Sequence, residues 1–79
     1  MVQTYKDFEK WVKIQLIQQD LTQRTLAARM EISYPRISEA LHGKATGKAF
    51  IVPLIQELGG NIDDFKEFLE LAEIQLDNE

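Results

Sequence analysis

The chain offers little for covalent chemistry and more for recognition. It has no cysteine and one histidine, His42, so a thiolate or histidine-rich metal site is excluded. No nucleophile–base pair stands out, and the loop Lys44 to Ala49, KATGKA, lacks the spacing of a phosphate-cradling loop. Neither an enzyme nor a cofactor is expected. What remains is one polar cluster: Tyr34, Pro35, Arg36, Ser38 and Glu39. A guanidinium fork matches guanine's major-groove edge and is worth roughly 1–3 kcal/mol of discrimination. The Glu39 carboxylate can accept from a cytosine amino group but would otherwise repel phosphates. Tyr34 and Pro35 offer apolar contact to a thymine methyl. Each has a plainer reading: an ion pair for Arg36, a water-exposed or intramolecular role for Glu39, partial packing for Tyr34.

These residues need elements to position them. From Thr22 to Lys44 the sequence reads as two short helices joined by a tight turn. Leu26, Ala27 and Met30 make one apolar patch at helical spacing, and Ile37, Ala40 and Leu41 make another. Facing those patches together turns Pro35, Glu39 and His42 outward, with Arg36 and Ser38 on the flanks. Thr22 and Ser33 are expected N-caps, Pro35 falls in a first turn, and Gly43 supplies a left-handed stop. Ahead of this stretch, Thr4 opens a first helix running to about Gln19. Its core stripe is Tyr5, Phe8, Val12 and Leu16, and a second strip is Trp11, Ile14 and Ile17. Lys6, Lys10 and Lys13 align as either a solvated face or a phosphate-facing stripe. A fourth helix carries Leu54, Ile55 and Leu58, with Pro53 in its first turn and Gly59-Gly60 after it. A fifth, extended and acidic, spans about 62–76 and carries Phe65, Phe68, Leu69, Ala72 and Leu76, with Leu71 and Ile74 beyond the stripe. Five helices in a single all-α domain, residues 1–79, are expected.

The net charge of −4 seems unsuited to a polyanion, but the charge is segregated. Residues 1–48 carry eight Lys and Arg against five Asp and Glu, a net +3; residues 49–79 carry one against eight, a net −7. Local field steers association, so an acidic total does not exclude DNA. With no apolar run approaching a membrane span and no signal peptide at MVQTYKDFEK, a soluble cytoplasmic protein is expected.

Gln23, Leu26-Ala27, Met30, Ile32-Ser33, Ile37, Leu41 and Gly43-Lys44 resemble the helix-turn-helix of the lambda repressor and Cro (XRE-like) family. The resemblance extends through Leu21-Thr22, Phe50, Leu54, Leu58-Gly59 and Asn61-Ile62-Asp63, covering roughly residues 12 to 69. It implies a compact five-helix lambda-repressor-like domain with its motif at 22–43. It further implies a sequence-specific regulator of the small phage Cro or repressor type, reading a double-stranded operator with helix 3. Tyr34, Pro35, Arg36, Ser38 and Glu39 then become base-reading candidates. Thr22, Gln23, Lys44 and Lys48 become backbone contacts, with Arg24 able to add to them. His42 could touch a phosphate or simply answer the helix dipole.

Three departures from the family's pattern carry consequences. Glu31 stands where the turn often has glycine, which predicts roughly 1 kcal/mol of strain if the backbone is left-handed there. Tyr34-Pro35 replaces a glutamine pair, so no operator follows by analogy. The last helix is long and acidic, leaving room for a protein partner. Such regulators bind as symmetric dimers, for which Trp11, Phe68, Leu71 and Ile74 are the candidate surface, unless they cover one another within one subunit. The competing reading is a protein-interaction module on the same fold, an antirepressor or a DNA-mimicking inhibitor of another regulator.

Overall fold

The computed structural model describes residues 2–74. Among them are five α-helices and no strand: α1 (Tyr5–Gln18), α2 (Gln23–Met30), α3 (Tyr34–Leu41), α4 (Ile51–Glu57) and α5 (Lys66–Leu71). Two 3-10 segments, Ala45–Phe50 and Ile62–Phe65, lead into α4 and α5. No described helix is long and apolar enough to cross a membrane.

The caps follow local chemistry. The Thr4 hydroxyl accepts from the Asp7 N–H at 3.1 Å, and Thr22 accepts from the Thr25 N–H at 3.1 Å. Each satisfies a donor that a helix start leaves open. Ser33 occupies the N-cap position of α3, but its hydroxyl makes no capping bond. Asn61 accepts from the Asp63 N–H at 3.0 Å and starts a 3-10 segment.

All five helices end by one device. A residue at positive φ follows each: Asp20 (58°), Glu31 (59°), Gly43 (76°), Gly59 (83°) and Glu73 (59°). The next N–H then returns to a carbonyl five residues back: Leu21 to Leu16, Ile32 to Ala27, Lys44 to Glu39, Gly60 to Ile55 and Ile74 to Leu69, all at 2.8–3.0 Å. This six-to-one bond is the Schellman closure, which satisfies a carbonyl left open at a helix C-terminus. Glycine adopts the left-handed conformation freely. Three acidic residues do so against a steric penalty, and each is followed by an apolar side chain (Leu21, Ile32, Ile74) folded back onto the core.

This accounts for the length of the last helix. Rather than running to about 76, α5 closes after Leu71. Had it continued, Ile74 would share a face with Leu71, which is 58% exposed. Reversing at Glu73 packs Ile74 against the core instead. Leu76 lies outside the described residues.

The core joins two groups. Phe8, Phe65 and Phe68 form an aromatic cluster between α1 and α5: Phe8 stacks on Phe68 at 4.8 Å, and Tyr5 meets Phe68 edge-on at 5.0 Å. Leu26, Ala27, Ile37, Ala40, Leu41, Ile51, Leu54 and Ile55 are among the second, and no polar or charged residue is buried among the described residues. Two members of the expected dimer surface are thereby removed. Phe68 is fully buried, and Trp11 is half-buried with its ring edge-on to Phe65 at 4.8 Å. Ile74 is occupied by the helix closure. Exposed apolar side chains are Ile14 and Ile17 on α1 and Leu71 on α5. They do not form one patch. Tyr5 packs on Phe68 while Gln19 donates to the Leu58 carbonyl, so Ile17 and Leu71 lie toward opposite ends of α1.

Glu31 is the plainest test of the left-handed closures. Replacing Glu31 with glycine should raise unfolding stability by a few tenths of a kcal/mol, roughly 0.5, as relief of strain is partly offset by the added chain entropy. Urea denaturation followed by circular dichroism measures it; an unchanged or lowered midpoint would show that Glu31 bears no strain.

Candidate functional site: the exposed face of α3

α2 and α3 are each eight residues long and are joined by Glu31, Ile32 and Ser33. Ile37, Ala40 and Leu41 are buried, which turns the rest of α3 outward as the spacing predicts. Tyr34, Pro35 and Arg36 are exposed, and Ser38 and Glu39 are partly so. Three elements pack around this helix: α1, α2 and the Ala45–Phe50 segment.

At its N-terminal end, the Arg24 guanidinium lies 4.7 Å above the centre of the Tyr34 ring. A cation over an aromatic face is attracted by the ring's quadrupole. The start of α2 and the start of α3 are therefore neighbours. Thr22 uses its hydroxyl on Thr25, both as N-cap acceptor and through a 2.9 Å contact between the two hydroxyls. Gln23 is half-buried beside it.

At mid-helix, Arg36 Nη1 donates to Glu39 Oε1 at 2.9 Å, the ion pair that sequence reading held open. Glu39 Oε1 accepts a second bond, from the Thr46 hydroxyl at 2.8 Å. These bonds, that from Thr46 foremost and then that from Arg36, hold the Glu39 carboxyl below the ordinary carboxylate range, with the charges of Arg36 and Lys44 adding to them.

Thr46 was not among the expected site residues, and its segment is a 3-10 helix where an open loop was expected. Gly47 is the cause. An added Cβ there would lie 2.3 Å from the Ala40 N and 2.5 Å from the Glu39 carbonyl carbon. The segment rests directly on the α3 backbone, which only a glycine opposite a small residue allows. The pairing of Ala40 with a glycine seven residues later was the available signal. Lys44 and Lys48 flank this contact, Lys44 exposed and Lys48 half-buried.

At the C-terminal end, His42 Nδ1 is 2.8 Å from the Ser38 carbonyl oxygen, so Nδ1 carries the proton and donates. Its Nε2 lies 3.7 Å from Glu9 Oε2, and Glu9 also pairs with Lys13 at 3.2 Å. His42 is thus engaged by the last turn of its own helix and lies near Glu9 of α1. Lys13 remains exposed on α1 beside Lys6 and Lys10 while pairing with Glu9.

The structure brings Tyr34, Arg36, Ser38, Glu39, Arg24, Lys44 and Lys48 around one helix. Trp11, Phe68, Leu71 and Ile74 lie elsewhere. Asp63, Asp64, Glu67 and Glu70 are exposed on the segment whose aromatic residues pack on α1. Comparison with models of protein families, with curated proteins and with solved structures finds no match to this chain.

Two outcomes test this geometry. Gly47→Ala should cost about 3 kcal/mol of stability, because a helix backbone cannot give way to the new methyl group; an unchanged thermal midpoint would show the contact to be looser. Because the folded-state pKa of Glu39 is lowered, its stabilising contribution is complete above the unfolded-state value. It is lost as pH falls through the folded-state value. In a carbon-detected NMR titration, Glu39 should titrate below the ordinary glutamate range, and Thr46→Val should move it upward.

Proposed function

We propose that this protein is a sequence-specific DNA-binding regulator, of the small phage Cro or repressor type, that presents the N-terminal half of α3 to the major groove. The observation that carries this reading is the surround of α3: Arg24 from α2, Arg36 from α3 itself, and Lys44 and Lys48 beside the Ala45–Phe50 segment. A helix flanked on both sides by cationic side chains suits a groove bordered by phosphates. The length and turn of the α2–α3 pair agree with a helix-turn-helix, and the uncapped N–H groups opening α2 suit a phosphate oxygen. Tyr34, Pro35, Arg36, Ser38 and Glu39 face the bases in this reading; Thr22, Gln23, Arg24, Lys44 and Lys48 meet the backbone.

One helix reads only a few base pairs, so a symmetric dimer on two half-sites belongs to the proposal.

A second reading, a helix-turn-helix fold that binds and inhibits another regulator, draws on Glu39 and on the net −7 of residues 49–79. The cations around α3 weigh against it.

A salt titration of binding to duplex DNA separates the two. Affinity should fall steeply with salt, with three to five Lys or Arg contacts per subunit predicting a log–log slope of roughly −3 to −5. Replacing Lys44 and Lys48, the backbone contacts, with alanine should flatten the slope by about two. Absence of duplex binding at low salt would sink the regulator and favour the inhibitor.

A further inference from the structure

We propose that Arg36 and Glu39 act as one unit reading a single guanine–cytosine pair, with Thr46 as the residue that positions Glu39. This rests on the DNA-reading function above and names the chemistry that the face would select.

The argument starts from what a carboxylate can accept. Glu39 is acceptor-only when ionised and cannot sit against a phosphate, so its ligand must offer a donor. Both of its internal bonds go to Oε1, from Arg36 Nη1 and from Thr46 Oγ1. Oε2 has no hydrogen-bond partner among the described residues. Arg36 has five N–H donors, of which one bond goes to Glu39. The pair therefore presents guanidinium donors beside one carboxylate acceptor, on a helix face where Arg36 is 44% and Glu39 30% exposed.

The major-groove edge of a G·C pair carries two guanine acceptors, N7 and O6, followed by the cytosine N4 donor. Two donors and an acceptor complement it in that order. An A·T pair carries acceptor, donor, acceptor, so the same unit would set a guanidinium donor against the adenine amino group. The order also has a direction, which distinguishes G·C from C·G.

Thr46 supplies what the helix cannot. The last torsion of a glutamate is broad, so a carboxylate held by one neighbour on its own helix can turn. A second bond from another element fixes Oε1 and with it the bearing of Oε2. The element providing it is seated on α3 through Gly47. Less side-chain freedom is then lost when the base edge arrives.

The test is selection of duplexes from a randomised library by the 79-residue chain at fixed low salt, followed by sequencing. The wild-type motif should contain a position restricted to G·C, with other pairs disfavoured roughly 5- to 150-fold. Glu39→Gln, whose amide both donates and accepts, should weaken the preference for G·C at that position, because only Arg36 then discriminates there, and leave the rest of the motif unchanged. Thr46→Val should relax the same position by about 3- to 10-fold, and Thr46→Ser should restore it. Circular dichroism of each variant checks folding, and the wild-type motif is decisive alone: if no position requires G·C, the proposal is overturned. It is also overturned if Glu39→Gln or Thr46→Val leaves every position unchanged while DNA is still bound. Failure to bind any duplex would remove the function proposed above as well.

Discussion

A contact without a side chain governs the arrangement of this molecule's most polar face. Gly47 lies so close to the α3 backbone at Glu39 and Ala40 that no Cβ fits between them. That approach makes a 3-10 helix of a segment whose composition suggests a loop. It also brings a hydroxyl from outside α3 to a carboxylate on it. The Arg36–Glu39–Thr46 group then spans two elements, and its geometry follows from backbone packing. Side-chain pairs at a surface are ordinarily weak because both partners move. Here one partner is borne on a segment that is itself seated against the helix.

A second constraint sets the size of the fold. Every helix is closed by a left-handed residue and a bond from the next N–H to a carbonyl five residues back. Repeating this closure keeps the helices short and returns the chain to the core after each one. At Leu21, Ile32 and Ile74 the returning residue is apolar and packs inward. The free energy of that burial offsets the strain of placing Asp20, Glu31 and Glu73 at positive φ. The closure at Gly43 also sets the course of the chain beyond α3, where the turn passes over the Tyr5 ring and leads into the segment bearing Thr46.

The charge segregation acquires a physical form in the same way. The acidic residues of the C-terminal part ride on the segment that packs its aromatic side chains against α1. The cations of the N-terminal part gather on α2, on α3 and beside the Ala45–Phe50 segment. A small all-α domain can thus hold opposite fields on different elements, which is how an acidic chain can present a basic face.

Much was legible from residue order alone. Helical periodicity located α1 to α4, and Thr4, Thr22, Gly43 and Gly59 marked starts and stops, because caps and periodicity act within a few residues along the chain. The inward set Leu26, Ala27, Ile37, Ala40 and Leu41 followed from that spacing, and so did the outward set on α3. What needed the tertiary structure were decisions between segments far apart in sequence. Phe68 and Trp11 could have served a partner chain until α1 and α5 were seen to bury them against each other. Ile74 could have extended a helix until the core offered it a place. Arg36, open to either a base or a carboxylate, pairs locally with Glu39 one turn away, but the second bond to that carboxylate comes from another element. Thr46 joins them only through the close approach of Gly47 to Ala40. Local sequence dictated which residues form helices and which face each helix exposes. Long-range packing decided which exposed groups were already spoken for, since burial and hydrogen bonding depend on neighbours that periodicity does not specify.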